Sequence, residues 1–242
     1  MKQLYIVGIG PGGQQDMTTR AKQAISQAEL LCGYPVYVDL VRELAPDTPV
    51  LTTPMRQETE RCRAALRAAA EGTTTALVCS GDAGVYGMAG LVLQLAEEYP
   101  PVEIQVVAGV TAALSGAAVL GAPLTHDFAV ISLSDLLTPW EKIERRLAAA
   151  AQADFVISIY NPASRRRADH LHKACEILLR YRAPSTPCGF VRNISREGQQ
   201  SCILTLSELA DAPLDMFCTA FVGNSETKVL AGRLVTPRGY KL

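Results

Sequence analysis

Three times in the first half of the chain a short, largely β-branched run gives way to a glycine loop. The strands expected at Leu4 to Gly8, Thr75 to Ser80 and Glu103 to Val107 lead into Gly8-Ile9-Gly10-Pro11-Gly12-Gly13, Ser80-Gly81-Asp82-Ala83-Gly84-Val85-Tyr86-Gly87 and Ala108-Gly109-Val110-Thr111-Ala112. Helical patterns separate them, at Thr18 to Glu29 and around Arg56 to Glu71. In the second of these, Cys62, Ala65, Leu66 and Ala69 recur at helical spacing against Arg61, Arg63 and Arg67, so one apolar stripe should face a sheet. Strands alternating with helices point to an open, mostly parallel α/β sheet. In such sheets ligands collect at the carboxyl ends of the strands.

The pattern restarts after Gly121-Ala122-Pro123-Leu124, so we expect two α/β domains, 1–123 and 124–242. A length of 242 residues allows this at about 150 residues per domain. The small-residue helix Thr111 to Leu120 permits close packing. Past the linker come a strand at Phe128 to Leu133 and a helix starting at Thr138-Pro139-Trp140-Glu141 and running to about Ala151. Thr138 is placed as N-cap, Pro139 at the first helical position and Glu141 as partner in a capping box. A strand at Phe155 to Tyr160, a helix at Arg166 to Tyr181 and a strand at Cys188 to Val191 come next. Closely spaced strands at Ser201 to Leu206, Phe217 to Val222 and Val229 to Val235 then predict antiparallel additions and a mixed second sheet.

Composition narrows the function. The formal charge of −1 gives no global attraction for nucleic acid. No apolar run approaches the ~18 residues of a membrane span, and the N-terminal apolar run is too short for a signal peptide, so we expect a cytoplasmic protein. Seven cysteines are scattered singly, without a C-x-x-C pair, which argues against a disulfide framework or a zinc site and for small core residues.

Gly8 to Gly13 matches G-x-G-x-x-G literally, which raises a nicotinamide-dependent oxidoreductase as an alternative. That fingerprint needs a helix N-terminus directly behind the glycines to meet a pyrophosphate, yet Pro11 interrupts the loop and helical periodicity resumes only near Thr18. The loop better suits a ligand without phosphates, and a non-catalytic binding module also stays open. Asp82, among the glycines of the second loop, would aim a carboxylate into the same crevice. Tyr160-Asn161-Pro162 ends a later strand, just ahead of Arg165-Arg166-Arg167. Arg165, Arg167 and Arg192 are candidates for bidentate pairing with substrate carboxylates, or else solvated surface. His126, at the proposed junction, is the candidate proton-transfer group or a locally bonded hinge residue. His170 and His172 point in different directions on one helix and are read as surface residues, with no metal site.

In order and spacing, GIGPGG, SGDAGVYGM, AGVTAA and YNP resemble the tetrapyrrole methylase family, and the resemblance covers nearly the whole chain. Its most specific stretches are Ser80 to Gly90, Leu120 to Trp140 and Thr236 to Tyr240, which are similar to the branch acting on C17 of a corrin precursor. The resemblance implies a homodimer of two-domain chains with S-adenosylmethionine folded between the domains. It implies C17 methylation coupled to ring contraction, with a family member acting at another ring position as the nearest alternative. Carried over residue by residue, it assigns cofactor contacts to Pro11, Gly81, Asp82, Ala83, Val85, Tyr86, Thr111, Ala112, Tyr160 and Asn161. Two departures stand out: Ala83 where many relatives have proline, shared with the C17 branch, and Ala108 where many have proline before the glycine.

Overall fold

The computed structural model describes residues 3–164 and 166–241, so Arg165 lies outside the described residues. The chain divides into two compact units, Met1–Thr111 and Ala112–Leu242. The division thus falls after Thr111 and not after Pro123. The cause is helix α5 (Ala112–Leu120), which packs with the later part of the chain: a Cβ on its Gly116 would lie 2.9 Å from Cζ of Phe221, so only glycine lets the helix sit that close.

In the first unit the chain runs β1 (Gln3–Gly8), α1 (Thr19–Ser26), β2 (Leu30–Gly33), α2 (Pro35–Asp39), β3 (Val50–Thr52), α3 (Glu58–Ala70), β4 (Thr75–Cys79), α4 (Ala89–Leu95) and β5 (Glu103–Val107). All neighbouring strands are parallel, in the order β3-β2-β4-β1-β5. A parallel sheet must be covered on both faces. Leu4, Ile6 and Leu77 pack under α3 and α4, while Val7, Leu31 and Val78 pack under α1 and α2. The predicted stripe Cys62, Ala65, Leu66 and Ala69 is fully buried. β2, β3, α2 and α4 had no clear signal in the sequence, because strands of three and four residues are too short to show a period.

The second unit continues with β6 (Gly121–Ala122), β7 (Phe128–Ser132), α6 (Trp140–Gln152), β8 (Val156–Tyr160), α7 (His170–Leu178), β9 (Pro187–Arg192), β10 (Gln200–Thr205), α8 (Leu206–Leu209), β11 (Cys218–Val222), β12 (Lys228–Leu230) and β13 (Arg233–Val235). Its main sheet has the order β10-β9-β11-β8-β7, with β7 and β8 parallel and the remaining pairs antiparallel, so the expected mixed sheet is present. Helices α6, α7 and α8 cover one face around Leu147, Ile157 and Leu178; α5 covers the other, against Val191 and Phe221.

Three local expectations are corrected. Helix α6 starts at Trp140, with extended Pro139 as its cap residue and no side-chain cap, so the Thr138 capping box does not form. Helix α7 is shorter than predicted because Ser164 and Arg167 close a turn ahead of it. The single strand expected at Val229 to Val235 is a hairpin, β12 and β13, reversed at Ala231 and Gly232, both at positive φ, and joined to β6.

Six of the seven cysteines are buried and free; Cys202 is exposed. Burial pushes the thiols of Cys32, Cys62, Cys175 and Cys188 up to about 12 and that of Cys79 to about 11. A thiolate is the reactive form, so these groups are inert in the folded protein. Titration with a coloured disulfide reagent near neutral pH should therefore release one equivalent rapidly from the native protein and seven after denaturation. Several fast thiols in the native state would contradict this packing.

Candidate functional site

β4, β1 and β5 lie side by side, and their carboxyl ends carry the three glycine loops. The chain leaving β1 crosses β4 to reach β2, whereas the chain leaving β4 crosses β1 to reach β5. Such a reversal opens a crevice at the strand ends. The loops meet there backbone to backbone. Gly10 N–H donates to the Gly81 carbonyl (3.0 Å), and Gly81 N–H returns the bond to Gly10 (2.8 Å). Gly10 and Gly81 have φ of 75° and 69°, a region that favours glycine. A Cβ on Gly109 would lie 2.2 Å from the Gly81 oxygen and 2.5 Å from that of Gly8, and one on Gly8 would lie 2.7 Å from Gly109 N. Three side-chain-free backbones therefore converge at one point.

Asp82 locks this convergence. Its Oδ1 accepts from Gly84 N–H (2.8 Å) and Val85 N–H (3.2 Å), and its Oδ2 accepts from Gly109 N–H (2.9 Å). The carboxylate is thus turned onto backbone amides that have no strand partner, and not aimed into open space. Thr18 caps α1 by accepting from Ala21 N–H (3.1 Å) and donates its hydroxyl to Ala108 O (3.3 Å), which ties the helix start to the third loop. Pro11 and Ala83 are buried, Val85 and Thr111 half-buried, and Tyr86 is 58% exposed at φ 52°. A tyrosine in left-handed backbone is held there by its surroundings at a cost of about 1–3 kcal/mol.

In the second unit the carboxyl ends of β7, β8 and β9 share one sheet edge, with the start of β11 among them. Tyr160, ending β8, accepts through its hydroxyl from Ala113 N–H at the start of α5 (2.7 Å). Asn161 has φ 50° and donates to Ser132 Oγ (3.0 Å), which also accepts from Ser134 N–H (3.2 Å). Arg167 donates through Nε to Ser164 Oγ (3.1 Å) and through Nη1 to Ser134 Oγ, with Asp135 Oδ1 at 3.7 Å. Arg192 donates to the Pro213 carbonyl (2.8 Å) and lies 3.5 Å from Asp215. Both guanidiniums are engaged with the protein's own groups. The thiol of Cys218, beside Arg192, is pushed up mainly by burial.

His170, read from the sequence as a surface residue, is buried at 8% exposure, whereas His172 is exposed. The periodicity of α7 places His170 with Leu171, Ala174 and Leu178 on the packed side, a signal that its polar side chain obscured. His126 lies before β7, at the opposite sheet edge from Tyr160 and Asn161, a strand's length of roughly 16 Å away. Its Nδ1 accepts from the neighbouring Asp127 N–H (2.8 Å), the locally bonded arrangement, which offers no support for proton transfer beside Tyr160. Among the described residues no group of His, Cys, Asp or Glu is arranged to hold a metal, and no helix is long and apolar enough to cross a membrane.

A parallel α/β unit with a crevice of convergent glycine loops, succeeded by a mixed α/β unit with Tyr-Asn at a strand end, defines a class that sequence comparison identifies. Residues 3–210 match the family of tetrapyrrole (corrin/porphyrin) methylases. The chain is 47% identical over 240 residues to a probable cobalt-factor III C(17)-methyltransferase of Salmonella typhimurium, covering 99% of this chain and 100% of that protein. It is 43% identical to a cobalt-factor III methyltransferase of Priestia megaterium, of whose length it spans 45%. Among solved structures, the methyltransferase CobJ superposes with a TM-score of 0.89 at 34% identity, covering 97% of this chain and 99% of CobJ. A uroporphyrin-III C-methyl transferase from Thermus thermophilus complexed with S-adenyl homocysteine gives 0.72 at 25% identity, covering 91% of this chain and 97% of that one. The chain belongs to the tetrapyrrole methylase family and is a methyltransferase.

Replacing Asp82 by Asn takes the charge from all three bonds and turns one acceptor oxygen into an NH2 donor, so at least one of the three loop amides loses its acceptor. Charge-assisted bonds of this type contribute about 1.5–3 kcal/mol each. The variant should melt several degrees lower and bind S-adenosylhomocysteine at least tenfold more weakly, as read by calorimetry. Unchanged melting would show that Asp82 does not hold the loops.

Proposed function

We propose that this enzyme transfers the methyl group of S-adenosylmethionine to C17 of a precorrin-3-type tetrapyrrole, cobalt-bearing or metal-free, with contraction of the macrocycle, as a step of cobalamin biosynthesis. The observation that carries the reading is the 47% identity to the Salmonella protein across the full length of both chains. What supports a cofactor site at this edge is that the glycine loops, bonded to one another and to Asp82, make a fixed backbone rim beside the crevice at the strand ends. In this reading Pro11, Gly81, Asp82, Ala83, Val85, Tyr86 and Thr111 of the first unit, with Ala112, Tyr160 and Asn161 of the second, make up its contact set. Asp82 serves by shaping the loops.

When bound, the cofactor supplies an electrophilic methyl group on a sulfonium. The chain's own task is to orient that group against a ring carbon and to exclude water, which is where most of the rate gain of a methyl transfer arises. Recognition of the carboxylate-bearing macrocycle is assigned to apolar surface with Arg167 and Arg192 at its margin, Arg192 exchanging an internal contact for a substrate carboxylate and Arg167 meeting one through Nη2 while Nη1 keeps Ser134 and Asp135. A homodimer in the cytoplasm completes the reading, on family resemblance.

The deciding experiment is the mass and methyl position of the product formed from cobalt-factor III or precorrin-3B. Methylation at another carbon would overturn the assignment. Gly81→Val, which forces a branched side chain into φ 69°, should lower S-adenosylhomocysteine affinity at least tenfold, and NAD should give no binding heat. Sedimentation at micromolar concentration should show dimers, and a monomer would remove that part of the proposal.

A further inference from the structure

Behind Asn161, at the carboxyl ends of β7 and β8, lies a polar constellation that orienting the methyl group does not require. Asp135 is its centre. The carboxylate is 41% exposed, with Oδ2 at 3.8 Å from Nε2 of His170 and Oδ1 at 3.7 Å from Nη1 of Arg167. His170 is held on its other sides. Its Nδ1 lies 2.9 Å from the Leu133 carbonyl, which can only accept, so Nδ1 carries the hydrogen. Its ring packs on Trp140, with centroids 4.6 Å apart. With Nδ1 committed to Leu133, Nε2 is left as the nitrogen that gains or loses a proton, and it faces Asp135. The charged groups around the ring are Asp135, Arg167 and, next along the chain, Asp169, whose carboxylate pairs with Lys173.

We propose that Asp135 and His170 form the proton-accepting pair of the reaction, with Arg167 as the residue that positions Asp135. The proposal rests on the methyltransferase reading above. A methyl group delivered from a sulfonium to carbon adds one positive charge to the macrocycle. That charge is discharged when one bond from the ring system to hydrogen breaks, its electron pair stays on the macrocycle and its proton passes to Asp135 Oδ2. The proton then moves to the His170 imidazole, the more basic type of group, once the 3.8 Å between Asp135 Oδ2 and His170 Nε2 closes to hydrogen-bond length or is bridged by one water, and the Asp135 carboxylate is restored beside Arg167. The half-exposed carboxylate is the member of the pair that meets substrate, and the buried imidazole is the store. Next along the chain, Leu136 and Leu137 are 62% and 98% exposed, apolar surface suited to a macrocycle face. The run Asn161–Ser132–Ser134–Arg167 joins Arg167, the ion-pair partner of Asp135, by hydrogen bonds to a residue of the proposed cofactor set.

The test separates proton transfer from mere support of the loop. Asp135→Asn keeps the shape of the side chain and removes its basicity. In His170→Asn the amide N–H can still reach Leu133 O in place of Nδ1, while nothing replaces Nε2; His170→Gln does the reverse. Single-turnover methyl transfer should fall about 10²–10⁴-fold in all three, the usual worth of general-base catalysis. Asp135→Asn and His170→Asn should bind S-adenosylhomocysteine within about threefold of wild type, and their combination should lose no more rate than either alone. A rate within threefold of wild type for Asp135→Asn or His170→Asn would overturn the proposal, as would a loss of affinity matching the loss of rate. If His170→Asn does not fold, Asp135→Asn decides alone by the same criteria. Wild-type protein that methylates no tetrapyrrole would instead fault the functional reading.

Discussion

Backbone meeting backbone at the ends of β1, β4 and β5 is the constraint on which the first unit depends. The contact has room for no Cβ at Gly8 or Gly109, Gly81 takes part at a φ of 69°, and the carboxylate of Asp82 is the charged group that ties it together. Parallel strands buried on both faces can be assembled from many apolar sequences, since hydrophobic volume suffices to build such a core. Loops that cross at van der Waals distance cannot. Composition therefore fixes the core of this unit loosely and its strand-end edge tightly.

The second unit reaches the same end by other means. Its strand-end edge carries side chains, and order comes from hydrogen bonds in series: Tyr160 to the start of α5, Asn161 to Ser132, Ser132 to Ser134, Ser134 to Arg167. Buried polar groups are costly unless every member is satisfied, so a network of this kind specifies one arrangement of the β7–α6 connection.

These two strategies explain how much the sequence disclosed. The glycine loops were legible because glycine after a β-branched run has few other uses, and the parallel sheet was legible because α1 and α3 are periodic enough to read. β2 and β3 were not, being too short. The roles of Asp82 and His170 were also hidden. An aspartate among glycines reads as a ligand when only its chemistry is weighed, yet three backbone amides without strand partners are stronger claimants for its oxygens. A histidine on a helix reads as surface by type, whereas its place in the apolar period of α7 buries it. In both cases the backbone geometry decided, and a single sequence does not display it.

The same logic accounts for Arg61, buried at 3% exposure and bonded to carbonyls where a buried cation would ordinarily take a carboxylate. Its Nη2 donates to the carbonyls of Thr53 and Pro54 (both 3.0 Å), its Nη1 approaches Met88 Sδ, and its guanidinium lies 6.0 Å from the centre of the Tyr34 ring. Tyr34, Thr53 and Met88 come after β2, β3 and β4 respectively, so one cation braces the outer half of the edge whose inner half the glycines close. Desolvating a guanidinium costs several kcal/mol, and carbonyl dipoles return only part of it, so an apolar side chain of similar size would serve stability at least as well. What the arginine adds is direction: Nη2, fixed in the guanidinium plane, specifies where the carbonyls of Thr53 and Pro54 must lie, which an apolar plug cannot do. The edge is thereby held in position by groups that fix geometry at the expense of stability.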